Sequence, residues 1–348
     1  MRPLVKWNGG LEQHLETIRE LMPRDFECYF EPYMGSGAVY FSMEGRTCYV
    51  NDRCRSLMNI YKYVQKESRP FRMMFKMMSA AWKKMDAFYY RVVDELADIV
   101  ERNRRNCYRE FPRLVQDINE QVDRIAYSEI FAYVLPDPNV FKMELRFAMI
   151  QEVLRMEKLV DLDDDDVEAN ILTALKLAIY LFVTEVLNNK DVGSEEKAAA
   201  LAFILNYSAD VPFKKDTCRE YRLPFGGKKM SHVYLAGQCR LIESEELKAH
   251  FAKTTFGCMD ALDFLKKYEP AFEDFVLLDP PDEVKRAAKM DDFTPEAGKR
   301  LAKYLLKECD ARWMLLLKPN ASSIPIYKKA GVKINPLEGN GKLIIRNY

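Results

Sequence analysis

Apolar positions recur at helical spacing over residues 11–22 and stop before Pro23, which predicts a helix there. A short strand at 28–30 then enters a glycine loop, EPYMGSG. Residues 38–43 read as helix, 48–51 as a second strand and 56–64 as helix again. This is a strand–loop–helix–strand unit of nucleotide-binding type. From about residue 65 to 205 the texture changes to long amphipathic stretches such as ILTALKLAIYLFVTEVL, with almost no glycine, and a helical insertion is expected. Strand-like sequence returns near Phe256, in FVLLDPPD, in WMLLLKPN and in the closing KLIIRNY. FVLLD is apolar without alternation, as a parallel strand buried on both faces would be. The expected fold class is therefore α/β, a sheet interrupted by a large helical insertion.

Composition narrows this picture only slightly. At 348 residues with 48% apolar side chains, the chain can bury one large core or two moderate ones. The 53 basic and 53 acidic residues cancel, so any nucleic-acid contact must come from local basic patches. The N-terminal MRPLVKWNGG lacks the apolar core of a secretory leader. No unbroken run of about 18 apolar residues marks a membrane span. Eight cysteines without a paired spacing read as free thiols in a reducing, cytoplasmic setting. Three scattered histidines make a metal site an unsuitable explanation, and none is expected. The run DLDDDD lacks the glycine and spacing of a calcium loop and reads as a solvated turn. Met73, Met74, Met77 and Met78 read as the core stripe of a helix.

Three segments could carry chemistry. In FEPYMGSGAVYF, Gly35 and Gly37 sit between strand and helix, where a missing side chain lets the backbone approach a ligand or simply turn tightly. Asp52 ends the next strand, where an acid commonly accepts hydrogen bonds from ribose hydroxyls or caps the following helix. These two features do not separate NAD from S-adenosylmethionine, although the loop lacks the GxGxxG of most NAD sites. In LLDPPD, the prolines fix the backbone and remove its amide hydrogens, so carbonyl acceptors can gather toward a neutral amine.

The segments KWNGG, FEPYMGSGAVYF, VND and DPPD, in that order, resemble the Dam-type DNA adenine methyltransferases. In that family the corresponding motifs read KWxGGK, FEPFxGxGAVFF, xND and DPPY. The likeness continues in ILNYSADVPF, FGCMDALDFL and KLIIRNY, and covers roughly residues 1–64 and 203–348. It implies a Rossmann-like S-adenosylmethionine methyltransferase sheet, with residues 1–64 and 232–348 forming the catalytic domain. Residues 65–231 would form a helical insertion for target recognition or interaction. Lys6, Trp7, Gly9 and Gly10 would match the N-terminal cofactor motif. Phe30, Glu31, Pro32, Gly35 and Gly37 would match the cofactor loop, Asp52 the ribose acid, and Asp260 the acid that meets the cofactor's adenine ring. Asp279, Pro280, Pro281 and Asp282 would form the catalytic turn, acting on a base flipped out of the duplex.

The chain departs from that pattern where chemistry would occur. Leu11 replaces the lysine that ends the first motif, and Asp282 replaces the aromatic residue of DPPY. The segment after the turn is shorter than the family's Ser/Thr-rich loop. Two basic stretches interleaved with aromatics are candidates for DNA contact. One contains Arg102, Arg104, Arg105, Arg109 and Arg113; the other contains Lys214, Lys215, Arg219, Arg222, Lys228 and Lys229. The resemblance implies transfer of a methyl group from S-adenosylmethionine to the exocyclic amine of adenine in double-stranded DNA. Its alternative is a non-catalytic homologue that binds DNA or regulates a partner methyltransferase, as a subunit or within a homodimer.

Overall fold

Phe275–Leu278 (β4) is fully buried at all four positions in the computed structural model, as a strand covered on both faces requires. The structure describes residues 1–7, 11–106, 115–120, 122, 138–156, 164–209, 223–283, 293–339 and 341–348, apart from the side chains of a few helical positions. The other strands among these are Cys28–Glu31 (β1), Thr47–Asn51 (β2), Thr254–Gly257 (β3), Arg312–Leu317 (β5), Lys333–Leu337 (β6) and Lys342–Arg346 (β7). They form one sheet in the order β3-β2-β1-β4-β5-β7-β6. β1 to β5 run parallel, while β7 is antiparallel to both β5 and β6. The fold is a Rossmann-like α/β sheet, as the patterning implied.

From β1 the chain winds outward through β2 to β3, then returns to lay β4 on the other side of β1. The strand order therefore reverses between β1 and β4. In open α/β sheets the ligand crevice lies outside the carboxyl ends of the strands at such a reversal. Both the glycine loop after β1 and the Asp-Pro-Pro turn after β4 leave the sheet there. β7, being antiparallel to β5, starts at the same end, because Leu343 pairs with Leu317.

One buried amide ties these strand ends together. Asn51, the last residue of β2, is wholly buried. Its Nδ2 donates to the carbonyls of Pro32 and Met259, both at 3.0 Å, and its Oδ1 accepts from Met259 N at 3.0 Å. Its own carbonyl accepts from Met34 N at 2.8 Å. A Cβ on Gly257 would stand 2.5 Å from Asn51 Oδ1, so glycine is required at the end of β3.

Two local expectations change. Residues 38–43 form only a short 3₁₀ turn at Tyr40–Ser42, not a helix. Gly37 before this stretch and Gly45 after it both have positive φ, which breaks the helical backbone on either side, while Tyr40 and Phe41 are buried with ring centroids 5.0 Å apart. β6 was not anticipated because it contains Pro336. It is tolerated because β6 is an edge strand paired only with β7.

The described residues divide into two compact units, 1–66 with 243–348, and 67–242. The second boundary lies beyond the expected residue 232. Trp82 Nε1 and Tyr207 Oη both donate to the Val233 carbonyl, at 3.0 and 3.1 Å, which keeps the following segment with the helices.

The helical unit contains Arg69–Asn106 (α3), Pro138–Met156, Asp164–Asn188 and Ser194–Tyr207. In α3 the buried stripe is Phe71, Phe75, Met78, Trp82 and Met85. Met78 joins it, but Met73 is half exposed, so the methionine run is not itself the core stripe. The aspartates from 164 onward open a helix, where acids favour the N-terminal dipole, and are not a turn. Over Asp166–Asn188 that helix is long and apolar enough to cross a membrane by length and composition, although charged residues interrupt its apolar run. Of its most apolar 18-residue stretch, 78% is buried inside the protein.

This buried helix carries a charge. Lys176 is fully buried, 2.7 Å from Asp86 Oδ1, donates to the Trp82 carbonyl and lies 4.9 Å above the Trp82 ring. Burial pulls its pKa from 10.5 down to about 8, against the opposing pull of Asp86. The folded state therefore releases this proton before the unfolded chain does, and stability should rise as pH climbs from about 8 toward 10.5. Urea unfolding in that window should lose this rise, at most about 1.4 kcal/mol per pH unit, in Lys176→Met. An unchanged slope in the variant would show that Lys176 is not its source. Asn51→Ala removes three side-chain bonds and strands two buried carbonyls, and should destabilise the protein by about 2–4 kcal/mol in the same measurement. A cost under about 0.5 kcal/mol, the level of an ordinary surface substitution, would remove Asn51 from its structural role.

Candidate functional site

The loop after β1 needs its glycines. Gly35 and Gly37 have φ of +53° and +73°, a region L side chains rarely adopt. A Cβ at 35 would lie 3.0 Å from Trp7 Cδ1, and one at 37 would lie 2.7 Å from Met34 Cε. Trp7 thus packs against the loop, which places the N-terminal motif beside it. Lys6 is exposed. Phe30 stacks on Tyr49 with centroids 4.7 Å apart, and the Pro32 carbonyl is held by Asn51.

Asp52 organises this loop from the next strand. Its Oδ2 accepts from Gly35 N at 3.1 Å and its Oδ1 from Cys54 N at 2.8 Å. The second bond is an Asx turn leading into the helix Arg55–Gln65 (α2), whose N-cap is Cys54 without a side-chain capping bond, so Asp52 orients the approach to that helix but does not cap it. From α2, the Tyr61 hydroxyl donates to the Ser36 carbonyl at 2.9 Å. Asp260, by contrast, does cap its own helix, accepting from Leu262 N at 2.9 Å, with Arg53 3.9 Å away.

Glu31, at the end of β1, is buried and accepts from the Tyr29 hydroxyl at 2.8 Å. Burial pushes its pKa up to about 8, the Tyr29 bond opposes this, and the charges of Asp279 and Asp52 raise it further. Carboxylates from two other strand ends, Asp279 and Asp52, thus act on Glu31.

At the turn after β4, Asp279 is also buried. Desolvation raises its pKa, Lys342 opposes that, and the charge of Asp282 adds to it. Lys342, the first residue of β7, donates to Asp279 Oδ1 at 2.5 Å. Asp282 points outward, 52% exposed, and pairs with Lys318 at 2.6 Å. Glu283 anchors the turn by accepting from Ser322 N at 2.8 Å and Ser322 Oγ at 3.1 Å. Beside it opens a cavity of about 290 Å³, lined by Pro281, Asp282, Leu317, Lys318 and Lys342 among others. That is near the lower end of the roughly 300–1,000 Å³ typical of small-molecule pockets.

The fold thus gathers Trp7, Phe30, Glu31, Pro32, Gly35, Gly37, Asp52, Asp260 and the 279–282 turn at one end of one sheet. Gly9 and Gly10 lie outside the described residues, as do Lys214, Lys215, Arg219, Arg222, Arg109 and Arg113. Arg102, Arg104 and Arg105 belong to α3, but their side chains are not described. Lys228 forms a 2.6 Å ion pair with Asp166, and Lys229 is exposed in the same short helix. Phe293, which follows the turn in the chain, is buried edge-on to Tyr33.

Asn51, Lys318 and Lys342 were not singled out from the sequence. Asn51 stands inside the VND motif, so its position was visible although its role was not. Lys318 and Lys342 follow and precede apolar strands, which gives no signal of a partner far away in the chain.

Comparison with known proteins agrees with this geometry. Residues 7–133 match the family described as D12 class N6 adenine-specific DNA methyltransferase. The type II methyltransferase M1.LlaDCHI of Lactococcus lactis subsp. cremoris is 37% identical over 65 residues, covering 19% of this chain and 23% of that protein. The type II methyltransferase M.MjaIII of Methanocaldococcus jannaschii is 29% identical over 121 residues, 31% of this chain and 40% of that protein. A protein translocase subunit SecA from Picosynechococcus is 27% identical over 180 residues, 48% of this chain but 19% of that protein. The chain thus spans less than half the length of each of these relatives. Over residues 7–133 the chain carries the D12 class N6 adenine-specific DNA methyltransferase family match that its motifs anticipated.

Proposed function

We propose that this protein transfers a methyl group from S-adenosylmethionine to the exocyclic amine of adenine in double-stranded DNA. The observation that carries this reading is the convergence of a glycine cradle, a strand-end acid and an Asp-Pro-Pro turn at the reversal point of a sheet, in a chain with the D12-class match.

The residues present fit the cofactor. A Cβ would fill the cradle at Gly35 and Gly37, so the backbone there is open to close approach. Asp52 offers a carboxylate beside the cradle, where a ribose hydroxyl of the ligand would donate to it. The glycine loop and strand-end acid leave the choice between S-adenosylmethionine and NAD open, and the D12-class match favours the former. Bound there, the cofactor supplies an electrophilic methyl on a positively charged sulfur. Trp7, the Gly35–Gly37 backbone and Asp52 would hold it, with Lys6, Gly9, Gly10 and Asp260 completing the site. Asp279 and the turn carbonyls can accept N–H bonds from a flipped base and orient its amine, so positioning is the main contribution of the protein. The sheet unit would carry catalysis, and the helical insertion with the basic stretch 214–229 would grip DNA phosphates or a partner chain.

One observation favours the alternative of a non-catalytic homologue. Asp282 offers no ring to stack on a base, and its carboxylate is committed to Lys318. Incorporation of labelled methyl groups into mixed-sequence DNA decides between the two.

Calorimetry should show S-adenosylmethionine binding and none for NAD. Asp52→Ala should weaken that binding by about 1.5–3 kcal/mol, the range for a hydrogen bond to a charged group. Affinity equal to the parent's would take Asp52 out of the site.

Methyl transfer by the native chain should be slow. Asp282→Tyr should raise it roughly 10- to 100-fold, since base–aromatic stacking contributes about 1–3 kcal/mol. Brisk turnover that drops in Asp282→Tyr would instead make the aspartate an adapted catalytic group.

A further inference from the structure

Asp279 and Lys342 come from opposite directions to the same point. Asp279 leaves the carboxyl end of the parallel strand β4, and Lys342 opens β7, which is antiparallel to β5. Their side chains are 11% and 12% exposed, with Nζ 2.5 Å from Oδ1. A pair buried this deeply is unlike a surface ion pair, because removing one partner leaves the other charge in a poorly solvated place. Among the described residues Lys342 is the hydrogen-bond partner of this carboxylate, and it takes one oxygen only. Position 11, where the resembled family has lysine, is a buried leucine here.

We propose that Lys342 is a positioning residue for the Asp279 carboxylate, fixing Oδ1 and keeping the group ionised so that Oδ2 can accept the N–H of the substrate amine. The inference rests on the proposed transfer to an amine for its purpose, but not for the charge state of Asp279. The surroundings explain why such a cation is needed. Burial and the charge of Asp282 on the same turn act against the ionised Asp279, while His14 before the first helix adds a weaker favourable field. Burial and this neighbouring acid favour the protonated form, in which one oxygen becomes a donor and half the acceptor capacity is lost. Lys342 is the close charge that opposes them. Pro280 and Pro281 add rigidity without adding amide hydrogens that could take over its role. Lysine also has the reach and compact charge to meet one oxygen and leave the second open, whereas a bidentate arginine fork would tend to cover both.

The test follows the carboxyl group itself, in the full-length chain without cofactor or DNA. Carbon-13 at the aspartate side-chain carboxyl reports protonation by chemical shift, and the Asp279 signal is identified by its disappearance in Asp279→Asn. In Lys342→Met the titration midpoint of Asp279 should move up by about 1–3 pH units, the effect of losing an opposite charge at this range. Lys342→Arg should keep it near the parent value, and Lys342→Gln serves in place of the Met variant if that one fails to fold. In methyl transfer, the acidic limb of the pH profile should move up with the carboxyl in Lys342→Met and return in Lys342→Arg, with cofactor affinity unchanged. An Asp279 midpoint that stays put in Lys342→Met, or that shifts equally in the Arg variant, overturns the proposal. If the parent transfers no methyl group at all, the enzyme reading falls while the carboxyl titration still decides this one.

Discussion

The Asn51 side chain joins three backbone segments that the sequence keeps far apart: the loop after β1, the end of β2 and the turn after β3. Strand ends have no ladder partner beyond their last residue, so their loops could leave the sheet in many directions. A buried amide that both donates and accepts removes that freedom, because each of its bonds would be costly to leave unmade away from water. The glycine loop, Asp52 and Asp260 all hang from this junction. Asp52 extends it by drawing in the Gly35 amide, and Tyr61 extends it by bonding Ser36.

Upon this frame the charges are placed unevenly. The crevice between β1 and β4 collects acids, and burial raises the proton affinity of Glu31 and Asp279 together. The lysines enter from the other half of the sheet, Lys318 at the end of β5 and Lys342 at the start of β7. The reversed direction of β7 is what brings Lys342 to this end, since a parallel strand would begin at the opposite one. Each lysine meets one aspartate of the turn, the inner pair buried and the outer pair open to water. The outer pair occupies the place where the resembled family has a ring, so the chain has exchanged a stacking surface for an ion pair.

The helical unit has its own buried polar junction in Lys176, Asp86 and the Trp82 carbonyl. Its surroundings are aromatic, with Trp82 4.0 Å from Tyr207 and Tyr234 donating to Asp86. An ammonium group among rings gains cation–π attraction in compensation for part of its lost hydration. The cluster holds α3 against the helix Asp164–Asn188 and fixes which faces of the two helices meet.

Much of the sheet was legible in the sequence because its signals are local. The unalternating FVLL run, the glycines between strand and helix, and the prolines after Asp279 state their backbone requirements within a few residues. Elements whose signals conflict with local rules were misread. The stretch 38–43 has helical composition but turns tightly to bury Tyr40 beside Phe41, and β6 contains a proline that only an edge strand permits. The chemistry of the candidate site divides in the same way. Sequence marked Asp52, Asp260 and the 279–282 turn because each stands in a motif. Tertiary structure alone decided that Asn51 ties the loops, that Lys342 meets Asp279 and that Lys318 meets Asp282. These partners lie from 19 to 208 residues apart. Local pattern carries the conformational preferences of a segment, whereas an electrostatic partner is set by which strand ends the sheet topology brings within a few ångströms.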